Sequence, residues 1–247
     1  MLWKMNFMLI ENYFTPAMKK ITVVYLSCLV SIFFAHYAQA SGMKLETSVV
    51  VVNTEEGEGV MTLKNTDPSP VLLYSSVENL PGDKEESLIV TPPVVRVNPG
   101  DSQTVRFMLK TPAKAVEQFK RAIFEGIPAS DKTADKLQIT LRQNVPLIIH
   151  PAGLKENAEP WTLLKWEQTG QDTLKVTNTG AYVIRMSPSI SVEPQKVSGS
   201  LPRSYLLPGD TISVKLNNKV ADIQKVTITP ANLYGYFVKP YEASVSH

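Results

Sequence analysis

Little in this chain can make or break a covalent bond. Beyond residue 40 it has two histidines, His150 and His247, and no thiol, since the single cysteine, Cys28, lies earlier. Cys–His nucleophilic chemistry is thereby excluded, and a histidine-rich metal site is not expected, because each needs more of these residues than the chain supplies. There is no G-x-S-x-G elbow, and Gly57-Glu58-Gly59 reads as a turn without the rest of a nucleotide fingerprint. Glu55, Glu56 and Glu58 read as a solvated loop tip, and His150, before Pro151, as a strand-end residue. Carboxylates brought together by folding leave Asp/Glu hydrolysis formally open. The one pattern suited to recognition is Leu137-Gln138-Ile139-Thr140-Leu141-Arg142, apolar at odd and polar at even positions. Period-two alternation puts Leu137, Ile139 and Leu141 on one face of a strand. That face is either its own domain's core, which the bare pattern favours, or a strand paired with another protein's sheet edge, where main chain gives affinity and alternate side chains fill pockets. Alternation alone does not decide.

The elements that must position such a strand begin after a leader. Met18-Lys19-Lys20 precedes an apolar run from Ile21 to Phe34 and then Ala38-Gln39-Ala40. A positive start, a hydrophobic stretch short for a bilayer and a small-residue cleavage site mark a secretory signal peptide. Residues 1–40 are therefore read as leader and signal, with Met18 an alternative start to Met1 and the mature chain beginning near Ser41. The chain carries 25 basic and 23 acidic residues; residues 1–40 hold three of the bases and one of the acids, so the remainder is formally neutral. Nothing electrostatic argues for nucleic acid or an anionic membrane. With Cys28 inside the signal, the exported chain has no disulfide and depends on packed cores.

The remaining length suits two domains of about 100 residues each. Short apolar or alternating runs between turn signals predict an all-β chain. Expected strands are 47–52, 59–64, 71–77, 87–90, 104–109, 119–127 and 137–149, then 161–167, 173–178, 182–192, 204–207, 211–216, 225–229 and 234–238. Asn65-Thr66-Asp67-Pro68, Pro81-Gly82-Asp83 and Asn98-Pro99-Gly100-Asp101 separate strands of the first series, and Pro208-Gly209-Asp210 echoes the last of these in the second. The polar stretch from Pro151-Ala152-Gly153 to Glu159-Pro160 reads as a linker. Two β-sandwiches of about seven strands are the economical solution, over residues 41–153 and 154–247.

Thr91-Pro92-Pro93-Val94-Val95-Arg96-Val97-Asn98-Pro99-Gly100, followed by Gln103 and Val105-Arg106, resembles the T-P-P-x-x-R-x-x-P-G signature of the periplasmic chaperones of the chaperone-usher pathway. Ile127-Pro128, the segment from Leu137 to Pro151, Leu206-Leu207-Pro208-Gly209 and Tyr234-Gly235 extend the resemblance over nearly all of the chain beyond residue 40. The resemblance implies two immunoglobulin-like domains arranged as an L, non-enzymatic, without metal or cofactor, exported to the periplasm. Its implied partners are pilus (fimbrial) subunits, which it binds and stabilises, and an outer-membrane usher that receives them; a self-capping homodimer is open for the free protein. It also implies that Leu137, Ile139 and Leu141 form the donor strand for a subunit whose fold lacks one, covering a core groove and an unpaired edge that would otherwise aggregate. Each aliphatic side chain so buried contributes about 1.5–3 kcal/mol before ordering costs.

The family's cleft usually carries an Arg on the first strand and a Lys on the last, which anchor a subunit's C-terminal carboxylate. Those positions fall here on Val49 and Pro146. Pro146 cannot donate to a ladder and predicts an edge or a bulge; Arg142 becomes the candidate carboxylate anchor if a bulge reorients it, against the plainer reading of a surface arginine. The family's interdomain ionic trio falls on His150, Glu117 and Leu233, of which only Glu117 is retained in kind. The alternative, from another functional class, is a secreted adhesin or carbohydrate-binding module using exposed Trp161 and Trp166, although both stand in an alternating strand that suits a core or interface.

Overall fold

The computed structural model describes residues 42–112, 114–128 and 140–247. The expected leader, Leu137 and Ile139 lie outside the described residues. Among the described residues the N-terminal part has nine strands: β1 (Met43–Leu45), β2 (Val50–Asn53), β3 (Glu58–Asn65), β4 (Val71–Glu78), β5 (Leu88–Thr91), β6 (Val94–Val97), β7 (Ser102–Leu109), β8 (Gln118–Pro128) and β9 (Leu141–His150). They follow the order β5-β7-β3-β2-β9-β8-β4-β6, with β1 added to β3. The path folds on itself as a sandwich. Alternate residues Met61 and Leu63 of β3 and Val105 and Phe107 of β7 pack against Leu73 of β4, Ala122 and Phe124 of β8, and Leu147 and Ile149 of β9. Phe107 and Phe124 meet edge to face at 6.0 Å across the two layers, the geometry the ring quadrupole favours.

The T-P-P stretch does more than end a strand. β5 pairs with β7 in one layer, and after the cis Thr91–Pro92 peptide β6 pairs with β4 in the other. The expected strand over 87–90 therefore continues as a second one. Pro92 and Pro93 occupy the crossing, where no ladder donor is needed.

A 3₁₀ turn (Pro160–Leu163) opens the C-terminal part, followed by β10 (Leu164–Gly170), β11 (Thr173–Asn178), β12 (Ile184–Met186), β13 (Ser189–Glu193), β14 (Val197–Ser200), β15 (Tyr205–Leu206), β16 (Thr211–Leu216), β17 (Lys225–Ile228), β18 (Pro230–Ala231) and β19 (Tyr241–Ser246). Seven of these close as β10-β11-β16-β14-β13-β17-β19, beside a three-stranded sheet β15-β12-β18. The expected strand 182–192 divides at Ser187-Pro188 into β12 and β13, which belong to different sheets. The expected strand 234–238 is a turn, and β19 closes the domain instead. The Asn232 carboxamide oxygen accepts from the N–H groups of Tyr234 and Tyr236, and Gly235 stands at φ 85°. A side chain that captures local N–H groups withdraws them from a ladder. Trp161 and Trp166 are buried in this domain's core, which removes the residues on which a carbohydrate-binding reading depended.

The two Pro-Gly-Asp turns prove geometrically equivalent. Gly100 and Gly209 have φ 77° and 80°, which a residue without Cβ adopts freely. Gly100 N–H donates to Asn65 O and Asn65 N–H to Asp101 O; Gly209 N–H donates to Asn178 O and Asn178 N–H to Asp210 O. Both asparagines are fully buried, with amides donating to two carbonyls each, Ser69 and Val97 or Tyr182 and Leu206.

Candidate functional site

β9 is core at one end and open at the other. Its register with β8 is continuous from Gln118↔Ile149 to Gly126↔Leu141, whereas β2 pairs with it only from Val50↔Leu147 to Asn53↔His150. From Leu141 to Pro146 the strand therefore has a ladder neighbour on one side only among the described residues. Pro146, which cannot donate, stands where the second neighbour begins. Leu141, Gln143, Val145, Leu147 and Ile149 share one face by parity. Burial falls along that row: Leu147 and Ile149 are core, Gln143 and Val145 half-buried, and Leu141 56% exposed. β1 reaches the row at Gln143, whose Nε2 donates to Met43 O at 2.6 Å. Burial along the row therefore changes with position on the strand, the same face being core at Leu147 and open at Leu141. Such a feature offers unpaired main-chain groups and an exposed aliphatic side chain together.

The bulge expected at Pro146 is absent, as the unbroken β8–β9 register shows. Arg142 is accordingly not reoriented. It points to the outer face, where it pairs with Glu78 and, at 3.2 Å, with Glu125. With two carboxylates already at its guanidinium, the premise that made it an anchor fails.

Glu117 and His150 stand where β8 and β9 meet the second domain. The Glu117 carboxylate takes His150 Nδ1 at 2.9 Å and the buried Val183 N–H at 2.7 Å, while its main-chain N–H donates to Ala181 O at 2.8 Å. His150 Nε2 lies 2.9 Å from Leu154 O. Beside them Val49, Phe119, Ile148 and Val183 form an apolar cluster with Tyr205 and Leu207 at its border. Leu233 contributes a main-chain carbonyl, which accepts from Arg185 along with Asn232 O. Glu117→Ala leaves the Val183 N–H buried and unpaired, at about 1–3 kcal/mol. Limited proteolysis should then cut residues 153–158 several-fold faster than in the parent protein, with both domains still folded.

Sequence reasoning missed Lys120, Arg121 and Arg185. The available signal was two adjacent cations inside the otherwise apolar run from Phe119 to Phe124. Lys120 is fully buried opposite Leu147, and its ammonium donates to Asn79 Oδ1 and Asp83 Oδ2 at 2.7 Å and Glu85 O at 2.8 Å. All three donors are thus used, as a buried charge requires. Burial works to raise the Asp83 carboxyl, but the Lys120 hydrogen bond, the Glu85 N–H and the charges of Lys120 and Lys114 outweigh it and hold Asp83 below the ordinary aspartate value. Among the described residues no three His, Cys, Asp or Glu side chains are grouped to hold a metal ion.

Comparison with known proteins agrees with this geometry. Residues 42–155 match the family described as "Pili and flagellar-assembly chaperone, PapD N-terminal domain", and residues 159–241 "Pili assembly chaperone PapD, C-terminal domain". The chain is 40% identical over 199 residues to the uncharacterized fimbrial chaperone YhcA of Escherichia coli K12, spanning 80% of this chain and 88% of that one. It is 26% identical over 174 residues to the chaperone protein LpfB of Salmonella typhimurium, spanning 67% and 74%. Among solved structures, the YadV chaperone aligns with TM-score 0.65 at 23% identity over 82% of this chain and 98% of that one. A Salmonella enterica SafA pilin–SafB chaperone complex contains a chain aligning with TM-score 0.67 at 17% identity over 84% and 98%. An all-β chain of two immunoglobulin-like domains, matched by both family domains in order and by a relative at this identity over most of both lengths, belongs to the PapD-type pili assembly chaperones.

Proposed function

We propose that this protein is a periplasmic chaperone that binds pilus or fimbrial subunits by pairing them with the N-terminal half of β9, and passes them to an outer-membrane usher without covalent chemistry. The observation that carries the reading is the half-paired stretch from Leu141 to Pro146, with Leu141 exposed on the row that is core at Leu147. A subunit short of one strand has the complementary defect, an unfilled groove beside an unpaired edge. One strand covers both. Leu137 and Ile139 precede Leu141 at the same parity, so the row has three members if the strand extends. Export rests on the signal peptide read over residues 1–40, and fractionation should recover a chain beginning near Ser41 in the periplasm.

Co-expression tests the reading. A pilus subunit that aggregates alone should be recovered as a soluble one-to-one complex with this chain. Recovery of the subunit in inclusion bodies regardless of the chain's presence overturns it.

A further inference from the structure

His150 ends the strand that carries the open edge, and its ring lies between two groups that can only accept. Nδ1 is 2.9 Å from Glu117 Oε1, and Nε2 is 2.9 Å from Leu154 O. A neutral imidazole has one N–H and one lone pair. Whichever nitrogen lacks the hydrogen then sets its lone pair against an oxygen lone pair. Both contacts become hydrogen bonds only when both nitrogens carry hydrogen, and the extra proton belongs on the imidazole because it is a stronger base than a carboxylate. Glu117 does not turn away to relieve the demand, since its Oε2 is occupied by the Val183 N–H at 2.7 Å.

These contacts join three parts of the chain. Through Glu117 the ring is tied to the second domain, at the Val183 N–H and at Ala181 O, which accepts from the Glu117 main chain. Through Nε2 it holds Leu154 of the linker, where the next carbonyl, Lys155 O, accepts from the Tyr182 hydroxyl at 2.7 Å. On the first domain His150 lies beside Asn53 of β2, and its own carbonyl accepts from Thr54 N–H at 3.0 Å. Among the described residues Glu117 is its ion-pair partner, the two side chains being 9% and 20% exposed. β2 offers the uncharged Asn53, with Glu55 and Glu56 exposed beyond it; Lys155 and Glu156 of the linker are exposed as well. The second domain offers Ala181 and Val183 at the contact, and behind them Arg185, which interacts electrostatically with Glu117 and with Arg121 of β8.

We propose that the Glu117–His150 pair is a proton-operated fastening between the domains, closed on the linker and the second domain when the ring is doubly protonated and released when it is neutral. Loss of the proton leaves Leu154 O or Glu117 Oε1 facing a lone pair in a largely buried place, where an unmade hydrogen bond is costly. An imidazole ordinarily changes charge between about pH 5 and 8, whereas an arginine stays charged throughout. The closed junction contains the proton and the open one need not, so the junction is firm on the acid side and loosens as pH rises. The device belongs to the chain alone and operates whatever binds β9.

Two readouts on the mature chain test it. With nitrogen-15-labelled histidine only His150 and His247 give ring signals, and H247Q assigns them. His150 should show both nitrogens protonated near pH 5.5 and one near pH 8, which requires no change at the junction. The second readout is tryptic cleavage after Lys155, expressed relative to a free peptide of residues 151–159 in the same reaction to cancel the protease's own pH dependence. Relative cleavage should rise several-fold from about pH 5.5 to about pH 8, in step with loss of the ring proton. H150Q has no proton to lose and should be cleaved at the parent's fast rate at every pH. In E117Q the amide can donate to Nδ1 of a neutral ring while its oxygen keeps the Val183 N–H, so cleavage should stay slow at pH 8. A ring that is neutral throughout, a doubly protonated ring that persists to pH 8, pH-independent relative cleavage in the parent, or the parent's rise retained in H150Q each overturn the proposal. So does fast cleavage at pH 8 in an E117Q protein whose unfolding midpoint matches the parent's.

Discussion

Leu141→Asp should abolish recovery of the soluble subunit complex while leaving the isolated chaperone's unfolding midpoint nearly unchanged. Leu141 is 56% exposed and its face there lacks an opposing layer, so the free protein loses little; surface substitutions of this kind usually stay within about 0.5 kcal/mol. In the complex the same side chain would fill an apolar groove. Losing its burial removes about 1.5–3 kcal/mol, and placing a carboxylate there adds a further penalty. The sum corresponds to an affinity loss above roughly a hundredfold, readable by co-purification or titration. Leu147→Asp provides the contrast. It lies on the same row six residues later, fully buried among β2, β4 and β8 residues, and should unfold the N-terminal domain. If Leu141→Asp unfolds the protein as well, Leu141 belongs to the core and the open-edge account is wrong.

Lys120→Met carries the second large effect. The substitution keeps most of the aliphatic volume but withdraws the ammonium from Asn79, Asp83 and the Glu85 carbonyl. Removing one member of a buried charged set costs about 3–5 kcal/mol, and the lower end applies because Asp83 retains solvent contact. For a chain of this size a loss of about 3 kcal/mol lowers the midpoint by roughly 6–12 °C. The pH dependence separates this from a packing defect. A carboxyl held below its unfolded value contributes stability that is present above about pH 4 and is lost as pH falls through the folded value. The difference between the parent protein and Asp83→Asn should therefore be full at neutral pH and shrink below about pH 4. A gap independent of pH would mean that the Lys120–Asp83 charge pair is not its source.

The fold class was legible because period-two alternation and Pro-Gly turns report strands locally. Met61 and Leu63, or Val105 and Phe107, face inward wherever the strand ends up, and Pro99-Gly100-Asp101 turns the chain by its own geometry. Elements whose fate hangs on distant partners were misread. The crossing at Pro92 looked like a strand end because β6 exists only by pairing with β4. The segment 234–238 alternates like a strand, yet Asn232 captures its N–H groups.

The candidate site divides in the same way. Residue types alone predicted an all-β chain and gave Leu137, Ile139 and Leu141 the same parity, because these follow from composition and backbone period. Tertiary structure alone decided that Leu141 is free while Leu147 is core, since burial depends on where the opposing layer stops. It likewise decided that Arg142 is spent on Glu78 and Glu125, whereas Arg121 and Arg185 make no ion pair among the described residues. Charge compensation is a matter of three-dimensional neighbours, and residues 64 positions apart in Arg121 and Arg185 become neighbours only when two domains meet.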